Sequence, residues 1–255
     1  MKAATCRKPT TAVRQLRRSV VAPLALERKP LKAAAAAADA AAFPEQWESA
    51  KTPKQRVDAL LEVSVDDRDD EWRTNLLTMT TSHIKELGRK RRAKEAIEAL
   101  TTLGRNGVKP DTVAATALLD ACSRSGEVEL TKSVFDRLFR PYDYESDDAE
   151  ASTSSLIAPD EVTFTILLRT LMKTEPPQWS AASALLIKME HEYGMPPSTN
   201  LFNILLYTCA RVNDTDRGLA LLDKMQDIGV PADEGSLAAV SKRKALRAQV
   251  KRMLR

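Results

Sequence analysis

The sequence predicts an all-α protein, a right-handed α-solenoid of helix-turn-helix repeats that follows a disordered N-terminal segment. The main observation is a unit of two amphipathic helices that recurs about every 35 residues, which is the signature of a solenoid. The composition agrees, because aromatic residues make up only 5% of the chain and glycine occurs eight times. No run of alternating β-branched residues is long enough to indicate a strand.

The clearest unit extends from Asn200 to Asp233. Its two helices each carry an apolar stripe at 3.6-residue spacing, formed by Phe202, Leu205, Leu206 and Cys209 in the first and by Leu219, Leu222 and Met225 in the second. Asp214 occupies the expected N-cap of the second helix, and Gly229 occupies the left-handed position that ends it. The unit is therefore predicted to be a helical hairpin.

This unit recurs along the chain. The segment FNILLYTC at Phe202 matches FTILLRTL at Phe164, ATALLDAC at Ala115 and TTSHIKEL at Thr80, with spacings of 38, 49 and 35 residues. The closing loops also recur, as GVKPD, IAPD, MPPS and GVPAD. The predicted repeats are residues 77–111, 112–160, 161–198 and 199–233, which we number 1 to 4.

These motifs resemble the pentatricopeptide repeat, a helical hairpin of about 35 residues that ends in Pro-Asp and binds RNA. The tetratricopeptide repeat has a similar shape, but its Trp-Leu-Gly-Tyr helix is missing from this chain. The resemblance covers Leu77 to about Val240. It implies a single-stranded RNA-binding protein that reads one base per repeat and acts in organellar RNA processing, stability or translation.

Two segments precede the repeats. Residues 1–42 are rich in arginine and alanine and have no acidic residue before Glu27, which predicts an organellar transit peptide, for mitochondrion or chloroplast. A disordered basic tail is the alternative. Residues 43–76 are predicted to form N-terminal capping helices, with a capping box at Thr52 and Gln55 and a stripe at Val57, Leu60 and Leu61.

One insertion and one basic end complete the chain. Residues 141–155 are acidic and polar and follow the second helix of repeat 2, so we expect a flexible loop there. Residues 234–255 are predicted to form a half repeat and a basic capping helix with Leu246, Val250 and Leu254 on one face. This last helix is expected to close the array, to contact phosphates, or to do both.

Charge is segregated along the chain. Residues 1–44 carry nine Lys or Arg against two acids and residues 234–255 carry seven against one, whereas residues 112–233 carry ten against nineteen. The overall charge of +4 therefore comes from the two ends and does not by itself indicate an RNA-binding surface. The longest apolar run, which starts at Ala33, is too short to cross a membrane.

By the family resemblance, each base is read by a residue near the start of the first helix and by the last residue of the repeat. The implied pairs are Thr81 with Asp111, Thr116 with Asp160, Thr165 with Ser198, and Asn203 with Asp233. Thr with Asp favours guanine and Asn with Asp favours uracil, so the implied word is G-G-N-U from the 5′ end. Val113 and Val162 would sandwich bases, whereas Thr78 and Asn200 depart from the usual aliphatic residue.

A column of cations supports this interpretation. Eight residues beyond each polar position at the start of a first helix stands a Lys or Arg, namely Arg89, Arg124, Lys173 and Arg211. These side chains are predicted to contact RNA phosphates. The alternative is that a cation near a helix C-terminus stabilises the helix dipole by a few tenths of a kcal/mol.

The residues predict no enzyme, no metal site, no cofactor and no small-molecule substrate. The family's deaminase domain needs a His-x-Glu motif and paired cysteines that the sequence lacks, and no residues remain for the aspartate-lined domain of its ribonuclease P branch. Cys6, Cys122 and Cys209 predict no disulfide, and the last two are expected to be buried. His83 is expected to be a half-buried core residue, because other repeats have leucine in its column.

Four repeats would recognise few bases. A four-base word recurs about every 256 nucleotides, so we expect a protein partner for specific recognition. The alternative function is a scaffold in an organellar protein complex.

Overall fold

The structure is a computed structural model that describes residues 47, 49, 50, 52–62, 70–139 and 157–254. The predicted transit peptide, the whole insertion at 141–155 and part of the N-terminal cap lie outside these ranges. Within them the chain forms eleven α-helices and no strand, which confirms the all-α prediction. The helices are α1 Pro53–Glu62, α2 Asp70–Arg89, α3 Ala93–Arg105, α4 Thr112–Ser125, α5 Val128–Leu138, α6 Glu161–Met172, α7 Trp179–Tyr193, α8 Thr199–Val212, α9 Thr215–Asp227, α10 Glu234–Ala239 and α11 Lys244–Met253.

The helices pack in two layers. The first layer contains α2, α4, α6, α8 and α10, each of which lies against the next one along the chain. The second layer contains α3, α5, α7 and α9, each packed on the first helix of its own hairpin, while α1 packs on α3 and α11 packs on α9 at the two ends. This arrangement is a solenoid, and each side chain of the first layer has an equivalent in the next repeat.

Aspartates at the closing loops start the first helices. The carboxylates of Asp111, Asp160 and Asp233 accept hydrogen bonds from the backbone N–H groups of Ala114, Thr163 and Ser236 at 2.7 to 2.8 Å. Each such N-cap contributes about 1 kcal/mol. In repeats 1, 2 and 4 the side chain of the last residue therefore also caps the following helix.

The predicted helix caps that lie within the described residues are present. Asp214 accepts from Arg217 N at 3.1 Å and caps α9, and Gly229 follows that helix with a φ of +71°, a value that favours glycine. Thr52 and Gln55 exchange the two bonds of the predicted capping box before α1.

Small side chains allow the first-layer helices to approach closely. A Cβ atom built on Gly88 in α2 would lie 3.0 Å from both Cα and Cβ of Ala121 in α4. Cys122 and Cys209 are buried as predicted, and burial raises the pKa of each thiol to about 12. The cysteines therefore act as small apolar side chains in the core.

His83 is more deeply buried than the sequence indicated, with only 3% of its surface exposed. Its Nδ1 lies 3.0 Å from an Arg56 nitrogen, which also donates to Glu86 at 3.0 Å. Burial first, and the positive charge of Arg56 second, lower the pKa of His83 to about 4. The imidazole is therefore neutral at physiological pH, and its Nε2 is buried without a hydrogen-bond partner.

Exposure differs among the three apolar residues predicted to share a face at the C-terminal end. Leu246 and Val250 in α11 are fully buried, whereas Leu254, which follows the last residue of that helix, is 44% exposed. No helix in the described ranges combines the length and hydropathy that crossing a bilayer requires.

Candidate nucleic-acid interface

Three positions of each first helix form one exposed surface. Counting from the first residue of each predicted repeat, positions 2, 9 and 13 are separated by seven and eleven residues, so they lie within about 20° of whole helical turns. We call these twelve side chains the first-helix stripe. They are Thr78, Lys85, Arg89, Val113, Asp120, Arg124, Val162, Arg169, Lys173, Asn200, Tyr207 and Arg211.

Position 2 is exposed in all four repeats, including the two in which it is apolar. Val113 and Val162 each have 55% of their surface exposed, although most other valines of the described chain are buried or half-buried. A single exposed valine is common on protein surfaces. Here valine is exposed at the same position of repeats 2 and 3, so two consecutive first helices present an apolar side chain at equivalent places. Thr78 and Asn200 occupy the equivalent exposed places.

Repeat 4 joins its two predicted base-reading residues directly. Asn203 Nδ2 donates to Asp233 Oδ1 at 3.0 Å, and Ser236 Oγ donates to Asn203 Oδ1 at 2.6 Å. The Asn203 hydrogen bond is the main reason that the pKa of Asp233 is lowered, so this carboxylate is an acceptor at neutral pH. The amide and the carboxylate keep unused donor and acceptor sites, which a base edge requires.

Repeat 2 has the same arrangement, with a threonine as the link. Thr163 Oγ1 donates to Asp160 Oδ1 at 2.7 Å and lies 3.1 Å from Thr116 Oγ1. Because Thr163 has only one hydroxyl proton, Thr116 is the donor to Thr163. We call Thr163 and Ser236 the linking hydroxyls, since both are fully buried and hold a predicted pair together.

Repeats 1 and 3 have no linking hydroxyl. The equivalent places are taken by Ala114 and Leu201. Thr81 is 6% exposed and donates to Leu77 O of its own helix at 2.7 Å, and Thr165 is also 6% exposed. Thr81 and Thr165 are therefore less exposed than Thr116 and Asn203, which are half-buried.

The last residues of these two repeats also differ. Asp111 is an exposed N-cap, whereas Ser198 makes no side-chain cap and donates instead to Glu161 Oε1 at 2.5 Å. The linking hydroxyls were not predicted from the sequence. Their signal is a Thr or Ser three residues after a closing aspartate, as in Asp160-Glu-Val-Thr163.

Of the four predicted phosphate-contacting residues, two have side chains without a partner among the described residues and two are bonded to protein groups. Arg89 and Lys173 are exposed, and within the described residues their side chains make no hydrogen bond or ion pair. Arg124 donates to Asp120 at 2.6 Å. Arg211 donates to Met172 O of the preceding repeat at 2.6 Å and to Glu175 at 3.3 Å.

A two-layer stack of helical hairpins defines a protein of the α-solenoid repeat class. The chain belongs to the pentatricopeptide-repeat family, because the family model described as the pentacotripeptide-repeat region of PRORP matches residues 67–254. The comparison with curated proteins found no match.

Solved structures agree on the fold. The pentatricopeptide repeat protein PPR10, in a crystal structure with an 18-nucleotide psaJ RNA element, aligns over 90% of this chain with a TM-score of 0.50 and 18% identity. A variant of PPR10 with three Cys-to-Ser substitutions, bound to the same RNA element, gives the same values. The chain spans 28% of the length of that protein, and at this identity the likeness establishes the fold alone.

Proposed function

We propose that this protein binds single-stranded RNA along the first-helix stripe, without catalysing a reaction, and that each repeat presents its polar pair to one base. The observation that carries the proposal is the contact between Asn203 and Asp233, since the two residues implied to read a base are 3.0 Å apart. The family membership and the arginine-rich N-terminal sequence support a role in organellar RNA processing, stability or translation.

The geometry favours unequal reading by the four repeats. In repeats 2 and 4 a buried hydroxyl holds the pair in place before RNA arrives, which lowers the entropy lost on binding. In repeats 1 and 3 the threonine is buried and its pair is not linked. Discrimination between bases should therefore be strongest at the second and fourth nucleotides. The exposed valines Val113 and Val162 provide apolar surfaces for flanking bases.

An exchange of the two reading pairs tests this proposal. Asn203→Thr gives repeat 4 the pair of repeat 2, and Thr116→Asn gives repeat 2 the pair of repeat 4. We would measure binding of the full chain to ten-nucleotide RNAs with a central GGAU, GGAG or GUAU, by fluorescence anisotropy.

Wild type should prefer GGAU, Asn203→Thr should prefer GGAG, and Thr116→Asn should prefer GUAU. Each preference should be about fivefold or more, because a mismatched base typically costs about 1–3 kcal/mol in a specific complex. Thermal unfolding of each variant controls for folding. If both variants rank the three RNAs as wild type does, reading by these pairs is refuted.

A further inference from the structure

Position 9 of the first-helix stripe carries a second set of charges that the predicted phosphate column does not include. Lys85 and Arg169 are exposed there in repeats 1 and 3, one helical turn before Arg89 and Lys173. Within the part of the chain that the structure describes, none of these four side chains makes a hydrogen bond or ion pair. Residues four apart on a helix are neighbours, so each of these repeats presents a pair of adjacent, unneutralised cations.

Repeats 2 and 4 have no such pair. Position 9 of repeat 2 is Asp120, whose carboxylate accepts from Arg124 at 2.6 Å. This ion pair leaves the first-helix stripe without net charge in repeat 2. Position 9 of repeat 4 is Tyr207, which is 59% exposed, and Arg211 is directed to Glu175 and to a carbonyl of the preceding repeat. The stripe therefore alternates between repeats with two free cations and repeats with none.

We infer that Lys85 and Arg169 are RNA phosphate-contacting residues, and that with Arg89 and Lys173 they confine the backbone contacts to repeats 1 and 3. This inference rests on the proposed RNA-binding function. It also complements the linking hydroxyls, which are present only in repeats 2 and 4. Two repeats hold the RNA backbone by charge, and the alternate two present preorganised pairs to bases.

The dependence of affinity on salt distinguishes these contacts. For single strands the logarithm of the affinity falls by about 0.7 per neutralised phosphate for each tenfold rise in salt. The double variant Lys85→Gln and Arg169→Gln should therefore reduce the slope by about 1.4 and weaken binding about 25-fold at 0.1 M salt. The basic ends of the full chain are common to wild type and all variants, so their contribution cancels from the difference in slope between a variant and wild type.

A gain of binding provides the converse test. Asp120→Asn removes the carboxylate beside Arg124 and should increase the slope by about 0.7, which corresponds to about fivefold tighter binding at 0.1 M salt. Adding Arg124→Gln to Asp120→Asn should abolish this gain. Arg124→Gln alone is the matched control, and its slope should stay close to that of wild type.

We would titrate the GGAU decamer with the full chain between 20 and 300 mM KCl and follow thermal unfolding of every variant. If the position 9 cations only stabilise their helices, the double variant melts earlier and keeps the wild-type slope, which overturns the inference. A wild type that shows no affinity for any of the RNAs at 20 mM KCl refutes the proposed function and this inference together. Salt-dependent binding that is insensitive to Lys85→Gln and Arg169→Gln refutes the inference alone.

Discussion

Substitution Ser236→Ala separates the structural role of a linking hydroxyl from its role in the interface. Ser236 Oγ is buried, donates to Asn203 Oδ1 at 2.6 Å and accepts from Asp233 N at 3.2 Å. Alanine keeps the backbone bond from position 236 to the Asp233 carboxylate and removes both hydroxyl contacts. The change in volume is a single oxygen atom, so repacking is expected to be small.

The cost in stability follows from these two contacts. A typical intramolecular hydrogen bond contributes about 1 kcal/mol, and Asn203 is half-buried, so water can replace part of the loss. We expect the free energy of unfolding to fall by about 1 kcal/mol, which lowers Tm by about 2–4 °C for a chain of this size.

The cost in binding has a different signature. Without Ser236 the Asn203 side chain is held only by Asp233, and ordering a free side chain costs about 0.5–1.5 kcal/mol on binding. Affinity for the GGAU decamer should fall about 2- to 10-fold, and discrimination against a changed fourth base should fall with it. Discrimination at the second base should stay at the wild-type level.

Thr163→Ala is the matched control, because it removes the equivalent hydroxyl from repeat 2. It should reduce discrimination at the second base and leave the fourth unchanged. Anisotropy titrations with RNAs altered at one position at a time measure both effects. Equal losses of affinity for all RNAs in both variants would show that the linking hydroxyls support folding and have no role in reading, and the reasoning would be wrong.

Two further predictions concern the core. The folded pKa of His83 is about 4, below its unfolded value of 6.5, so its contribution to stability is complete above pH 6.5 and is lost as the pH falls towards 4. His83→Leu should therefore flatten the decrease in Tm between pH 6.5 and 4, whereas His191→Gln at an exposed site should not, and an unchanged profile in His83→Leu would contradict the assignment. Gly88→Ala should lower stability by about 1–3 kcal/mol in urea unfolding, because its Cβ would meet the backbone of Ala121. Gly218→Ala should cost less, because the obstructing atoms are the Cδ atoms at the end of the Leu246 side chain and not backbone atoms, and an equal cost would contradict this account.

Local features of the chain were predictable from the sequence. The caps at Asp214 and Gly229 and the capping box at Thr52 depend on residues within about four positions of one another, and all three are present. The burial of Cys122 and Cys209 followed from helical periodicity alone. These properties need only the period of a helix and the chemistry of its ends.

Contacts between repeats were not predictable in the same way. The burial of Thr81 and Thr165 depends on how far each first helix is rotated against its neighbour, and that angle is set by side chains on both. The bond of Arg211 to Met172 O likewise joins residues 39 apart in the chain. Sequence columns align equivalent residues, but they do not report whether the neighbouring repeat offers a partner, as repeat 3 does for Arg211.

The closing aspartates of repeats 2 and 4 couple the folding of the array to the proposed reading of bases. The carboxylates of Asp160 and Asp233 each cap the next helix and accept a second hydrogen bond, from the Thr163 hydroxyl and from the Asn203 amide respectively, and the same carboxylates are proposed to meet bases. An ionised carboxylate has about four acceptor sites, so these two bonds leave free positions whose direction the helix fixes. Ser198 has no such anchoring, and the place of the hydroxyl is occupied by Leu201, which is 1% exposed in the core. A polar link in repeat 3 would have to replace a packed leucine, and that cost is a physical reason for the absence of a linking hydroxyl from the repeat that we propose to discriminate weakly.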